Sequence, residues 1–196
     1  MAAKKEDTRI KRTRRLLKEG LTQLILQKSI KKISVRELAD LVEINRGTFY
    51  LHYKDVYDLV DQIENELCIQ FEQELSEVFS KPDRDILSVF SCFCNFFENN
   101  RQICYALLSD NGDINFLIKL RAIISKICLS DVINAKSSEQ DKINYIYISS
   151  FFETGTIGLL KHWLGDNTIY RKSADEIATL LKTMFIEGVN GLVTIQ

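Results

Sequence analysis

Pro82 is the only proline in this chain of 196 residues, and there are only 8 glycines. With so few breakers, stretches of helical periodicity run on uninterrupted, and apolar residues recur in them at three- and four-residue spacing. The fold class is therefore all-α, with about nine helices. The first spans Thr8–Gln27, with Leu17, Leu21, Leu24 and Ile25 on its inner face. After the basic link "KSIKKI", a second, short helix carries Val35, Leu38, Ala39 and Val42. A third runs from Arg46 to about Tyr53, and a fourth, capped by Asp55, to about Ser80. Five more follow, over roughly 83–98, 101–109, 114–135, 139–164 and 173–190. Two starts carry a capping box, Ser34 with Glu37 and Ser173 with Glu176. In each, the Ser oxygen accepts from an orphan amide and the Glu reaches back.

The net charge of −1 hides a division. Residues 1–56 hold 14 Lys/Arg against 7 Asp/Glu, a net +7, and the remainder holds 12 against 20, a net −8. A basic first part on an acidic body points to an anionic partner for the first part alone. The five cysteines, Cys68, Cys92, Cys94, Cys104 and Cys128, show no C-x-x-C spacing, and His52 and His162 are the only histidines. This argues against a metal site and for thiols used as small apolar residues. No cofactor is implied. No apolar run approaches the roughly 18 residues of a membrane span, and the polar start lacks a signal-peptide core. The expectation is a cytoplasmic protein without membrane contact.

One stretch, "INRGTFYLHYKD" (residues 44–55), asks for a partner. Two short helices joined by a tight turn make a helix-turn-helix, here about 34–53. At about 100° per residue, Phe49 and Tyr53 point inward with Ile44, against Leu38 and Leu41 or Val42. Gly47, Thr48 and Leu51 centre the outer face, flanked by Tyr50 and Lys54 on one side and His52 on the other. A DNA major groove suits that face. Asn45 caps the helix, and Gly47 lets its backbone approach closely. Arg46 can bond guanine in bidentate fashion, and Thr48 a base edge or phosphate. Leu51 suits a thymine methyl, while Tyr50, His52 and Lys54 suit phosphates. Ser34 and Arg36, opening the second helix, lie where a phosphate could meet helix amides.

"RRLLKEGLTQLILQKSIKKISVRELADLVEINRGTFYLHYKDVYDLV" resembles the TetR family of bacterial transcriptional regulators, above all in "RGTFYLHY" followed by an aliphatic helix. The C-terminal part is similar to a branch common in Gram-positive bacteria, through Gly155 and Gly158, the Trp163-Leu164 helix end and the capped last helix. The resemblance implies a DNA-binding domain over residues 1–55 and a helical regulatory and dimerisation domain over 56–196. It also implies a homodimer through the last two helices, with Leu181 at the interface, and a palindromic double-stranded DNA operator. Three departures stand out. Ser29 and Glu43 replace customary glycines, both compatible with ordinary turns. Val56 replaces a customary phosphate-binding Lys, leaving Lys54 to substitute.

The function expected is a DNA-binding repressor released by a small-molecule effector. The alternative is an activator or co-regulator controlled by a protein partner. An enzyme is not expected, since neither a phosphate loop nor a catalytic cluster is legible. Phe90, Phe93, Phe96, Phe97, Tyr105, Phe116, Tyr145, Phe151, Phe152 and Trp163 are candidates for either core or pocket, and no effector-binding residue can be named.

Overall fold

The computed structural model describes residues 2–130 and 139–193. Among these the regular elements are all helical: α1 (Ala2–Gln27), a 3-10 turn (Ile30–Lys32), α2 (Val35–Leu41), α3 (Arg46–Tyr50), α4 (Val56–Phe79), α5 (Ile86–Asn99), α6 (Arg101–Leu108), α7 (Ile114–Ser130), α8 (Glu139–Gly165) and α9 (Ala174–Val193). The all-α expectation and its nine α-helices hold. The basic link is in part a 3-10 turn, and α1 starts six residues earlier than the apolar pattern announces. The expected end of α7 at Ala135 lies outside the described residues, and Cys128 and Tyr145 lie outside the described side chains.

The chain divides into two compact units, Met1–Leu67 with Gln102–Phe116, and Cys68–Arg101 with Leu117–Gln196. The first is built on Leu17, Leu21, Ile25, Leu38, Phe49 and Leu59, all fully buried. Burying each such side chain contributes about 1.5–3 kcal/mol. Gly20 sets the approach of α1 to α2. A Cβ there would stand 2.3 Å from Val42 Cγ1 and 3.1 Å from Leu38 Cδ1. Val42 thus stands nearest α1 here, while Leu41, its Cδ2 3.7 Å from the same Cβ, is 45% exposed. The α6–α7 loop belongs to the same unit. Its Asn111 carbonyl accepts from the Ile30 amide of the 3-10 turn at 3.2 Å. Next to it a Cβ at Gly112 would lie 2.0 Å from the Leu107 carbonyl oxygen, so only glycine fits.

In the second unit α5 packs along α9. Phe71 of α4 meets Phe93, Phe96 and Phe97 at centroid distances of 5.6, 4.8 and 5.8 Å. Phe90, Phe152 and Phe185 form a second aromatic cluster. The α8–α9 loop is pinned from three directions. The Trp163 indole N–H donates to the Lys172 carbonyl at 2.7 Å, and the Arg171 guanidinium lies 4.8 Å over the Trp163 ring while gripping Glu98. Arg101 donates to the carbonyls of Leu164 and Asp166 at 2.9 and 2.5 Å. The Ser173–Glu176 capping box closes in both directions, at 3.3 Å for the Glu176 amide and 2.9 Å for the Ser173 amide. At Ser34 only half forms, because the Glu37 carboxylate turns to Lys28 instead.

Burial raises the thiols of Cys92 and Cys94 to about 11 and about 12, so both are neutral at ordinary pH, in keeping with a packing role. Leu181 is 2% exposed and points into the core with Ile177 and Ala178, contrary to its expected place at an interface. The outward face of α9 carries Leu180 and Met184 instead.

Candidate nucleic-acid interface

The turn between α2 and α3 is tighter than its sequence suggests. Glu43 adopts φ 55°, and it is the one non-glycine residue among those described with positive φ. A Cβ in that left-handed region costs roughly 1–2 kcal/mol. Glu43 is thus not compatible with an ordinary turn, whereas Ser29, at φ −54° and ψ 141°, is. The strain is held in place on both sides, as the Ile44 amide donates to the Ala39 carbonyl at 3.0 Å and the Glu43 amide to the Asp40 carbonyl at 3.3 Å.

Asn45 then opens α3, its side-chain oxygen accepting from the Gly47 amide at 2.7 Å. Phe49 and Tyr53 are buried, their rings 5.6 Å apart, as the helical geometry requires. Burial pushes the Tyr53 phenol upward, partly offset by the Arg14 guanidinium. Regular helix ends at Tyr50, three residues short of the expected end, because the cap of α4 takes over. The Asp58 amide donates to Asp55 Oδ1 at 2.9 Å, and Asp58 Oδ2 accepts from the Lys54 amide at 2.8 Å. That backbone hydrogen bond holds the Asp58 carboxyl below the usual carboxylate range.

With these anchors fixed, Arg46, Gly47, Tyr50, Leu51 and Lys54 are exposed, Leu51 to 80%, and Thr48 and His52 are half-buried. Ser34, Arg36 and Asn45 are exposed in the same unit. The hydroxyl of Ser34 accepts from the Glu37 amide at 3.2 Å, and Arg36 stands 3.7 Å from Asp40. Leu51 and Tyr50 are the large apolar groups that this otherwise polar face leaves exposed, Tyr50 to 59%. Lys31 and Lys32 of the 3-10 turn are exposed, separated from Ser34 by the buried Ile33. The sequence alone places them in a basic link.

Val56 is 4% exposed, a core residue of the α4 start, so this position offers no cation to a phosphate. Lys54 remains exposed two residues earlier. Among the aromatic pocket candidates, Phe90, Phe93, Phe96, Phe97, Phe152 and Trp163 are buried in the second unit and Phe116 in the first. Tyr105 is half-buried in the first unit, and Phe151 is 75% exposed and belongs to no interior. Among the described residues there is no group of three or more His, Cys, Asp or Glu arranged to hold a metal, and no helix long and apolar enough to cross a membrane.

Residues 84–187, just over half of the chain, match the TetR-type family described as "Transcriptional regulator C-terminal region". A stretch of 67 residues, 34% of the chain, is 27% identical to the uncharacterized HTH-type transcriptional regulator YxbF of Bacillus subtilis (strain 168), a match spanning only 18% of that protein's length. A TetR transcriptional regulator of Streptococcus agalactiae 2603V superposes with a TM-score of 0.61 at 22% identity, over 93% of this chain and 98% of that one. A TetR-family regulator of Syntrophomonas wolfei reaches 0.67 at 16% identity, over 95% and 99%. At these identities the structural likeness speaks to the fold alone.

Proposed function

Because the chain belongs to the TetR family of transcriptional regulators, we propose that it is a repressor that binds a palindromic operator as a homodimer and releases it on binding a small-molecule effector. Residues 1–55 act as the DNA-binding domain, and 56–196 dimerise and receive the effector. The observation that carries the reading is the α3 surface. Two buried aromatic anchors, Phe49 and Tyr53, orient a short capped helix whose exposed side chains are Arg46, Tyr50, Leu51 and Lys54. Arg46, Thr48 and Leu51 are assigned to base edges. Ser34, Arg36, Tyr50, His52 and Lys54, joined by Lys31 and Lys32, are assigned to phosphates. Asn45 and Gly47 shape the backbone that approaches the groove.

Support for dimerisation comes from α8. Ile143, Tyr147 and Phe151, spaced four apart, are 47%, 75% and 75% exposed. Gly155 and Gly158 continue that face, and an added Cβ at either would meet nothing within 4 Å. These glycines therefore do not serve packing inside the subunit. They leave room for a close helix from a second copy, with Leu180 and Met184 of α9 alongside. A two-fold dimer presents two α3 helices, which enter successive major grooves when about 34–36 Å apart or a multiple of that.

The test is selection of bound duplexes from a random pool by the wild-type protein and by Arg46→Ala. The wild type should select a two-fold symmetric sequence. The variant should lose preference at one position per half-site, at a cost of about 1–3 kcal/mol for each bidentate pairing removed. Unpatterned sequences from the wild type would contradict the reading.

A further inference from the structure

We propose that the Thr156 hydroxyl, in the interior of the second unit, is the polar anchor for the effector, and that it selects an uncharged aromatic molecule carrying a hydrogen-bond acceptor. The proposal rests on the effector reading above and adds to it the recognising residue and the chemical class of the molecule.

Thr156 lies within α8 and is 4% exposed, and its Oγ1 has no hydrogen-bond partner among the described residues. Other helical threonines of this chain behave differently. Thr22, buried in α1, donates to the Lys18 carbonyl four residues back at 2.6 Å. Thr179 and Thr183 of α9 donate to the carbonyls of Asp175 and Thr179 at 2.9 and 3.0 Å. A helical threonine has two rotamers open to it because its hydroxyl can bond the preceding turn. The Thr156 hydroxyl makes no such bond to the Phe152 carbonyl and forgoes the local partner that the other three use. A buried donor without an acceptor is costly, so the packing of the subunit alone does not account for a hydroxyl held this way.

The surroundings indicate what it would hold. Ser149, Phe152, Thr156, Leu160 and Trp163 recur at three- and four-residue spacing on α8 and are all buried, so they form its inward stripe. Phe152, one turn before Thr156, meets Phe90 of α5 and Phe185 of α9 at centroid distances of 5.9 and 4.9 Å. The hydroxyl thus lies one helical turn from a cluster of three aromatic rings. Phe185 is half-buried, so the cluster reaches the surface of the unit there and gives a ligand a way in. Ser149, the other buried polar residue described in this unit, already donates to the Ile146 carbonyl at 2.9 Å. Among the described residues of the unit no Asp, Glu, Lys or Arg is buried. A charged molecule would therefore be stranded in this interior. A neutral ring with one acceptor oxygen instead takes the Thr156 proton and packs on the phenylalanines.

The experiment titrates acetophenone, ethylbenzene and benzoate into wild type, Thr156→Val and Thr156→Ser, by calorimetry, with melting curves alongside. The probes share one ring and offer a neutral acceptor, no acceptor and an anion in turn. The wild type should bind acetophenone roughly fivefold more tightly than ethylbenzene, the difference one buried hydrogen bond makes, and benzoate no better than ethylbenzene. Thr156→Val should hold acetophenone only as tightly as ethylbenzene, with ethylbenzene unchanged. Without a probe it should melt no lower than wild type, because it removes an unpaired hydroxyl. Thr156→Ser should keep the preference for acetophenone. Equal acetophenone affinity in wild type and Thr156→Val overturns the anchor, as does a wild type that prefers benzoate or binds none of the probes. A valine variant that melts lower and loses acetophenone and ethylbenzene alike overturns it too, by assigning Thr156 to packing. Retention of a selected duplex scores the effector reading separately. Benzoate that releases the duplex equally from wild type and Thr156→Val overturns the anchor and keeps the effector reading. Acetophenone held through Thr156 that releases no duplex at saturation keeps the binding site and counts against the effector reading.

Discussion

The two units of this protein leave different things uncovered. In the first, α3 and the residues just after it expose Arg46, Tyr50, Leu51 and Lys54, set on a helix whose aromatic anchors are packed. In the second, the uncovered face of α8 is apolar along Ile143, Tyr147 and Phe151, then bare backbone at Gly155 and Gly158. A hydrated, charged partner is met by groups that stay solvated until contact. A dry partner is met by apolar area and by missing side chains, which let a second helix come close. In the proposed function the first face meets DNA and the second a copy of the same chain.

Phe151→Glu should break this comparison most strongly. It places a charge in the dry face while leaving every DNA-facing residue untouched. Sedimentation should show monomers, and affinity for the full palindrome should fall by about a hundredfold or more, as expected when two linked sites become one. Full affinity in a monomeric variant would separate the two faces and refute their coupling. Leu181→Glu does not serve here, since Leu181 lies in the core and its replacement would report only on folding.

Val56→Lys comes next in size. Because Val56 is buried, a lysine there should destabilise the fold by about 1–3 kcal/mol, with DNA affinity per folded dimer unchanged. Tighter binding with a steeper salt slope would instead place this position against the phosphate backbone. The smallest effect is expected at the turn. Glu43→Gly relieves the strain of φ 55°, offset by the greater chain entropy glycine loses on folding, so stability should rise by up to about 1 kcal/mol. A lower melting temperature would show that the Glu43 side chain contributes more than its backbone costs.

Much of this is legible in the residues. Helical spacing predicts each α-helix of the described chain, and the inward turn of Phe49 and Tyr53 follows from the advance per residue alone. The capping serines and Asp55 act as their spacing suggests. What is not legible depends on partners distant in sequence. The Glu37 carboxylate leaves its box for Lys28, nine residues earlier. The pinned α8–α9 loop needs Glu98 and Arg101 from another part of the chain. The early start of α1 has no apolar signature, since residues 2–7 read "AAKKED". Leu181 differs in kind. Its four-residue spacing from Ile177 already marks it as inward, and only the resemblance to dimeric relatives suggests an outward place.

The most direct test of the whole account is the composition of the complex on a selected palindromic duplex, measured by sedimentation across a salt series. Two chains of 22.7 kDa per duplex are expected, binding together. Affinity should fall by several decades per decade of salt, as expected when many phosphates are neutralised. A single chain bound at full affinity, or binding indifferent to salt, would contradict it.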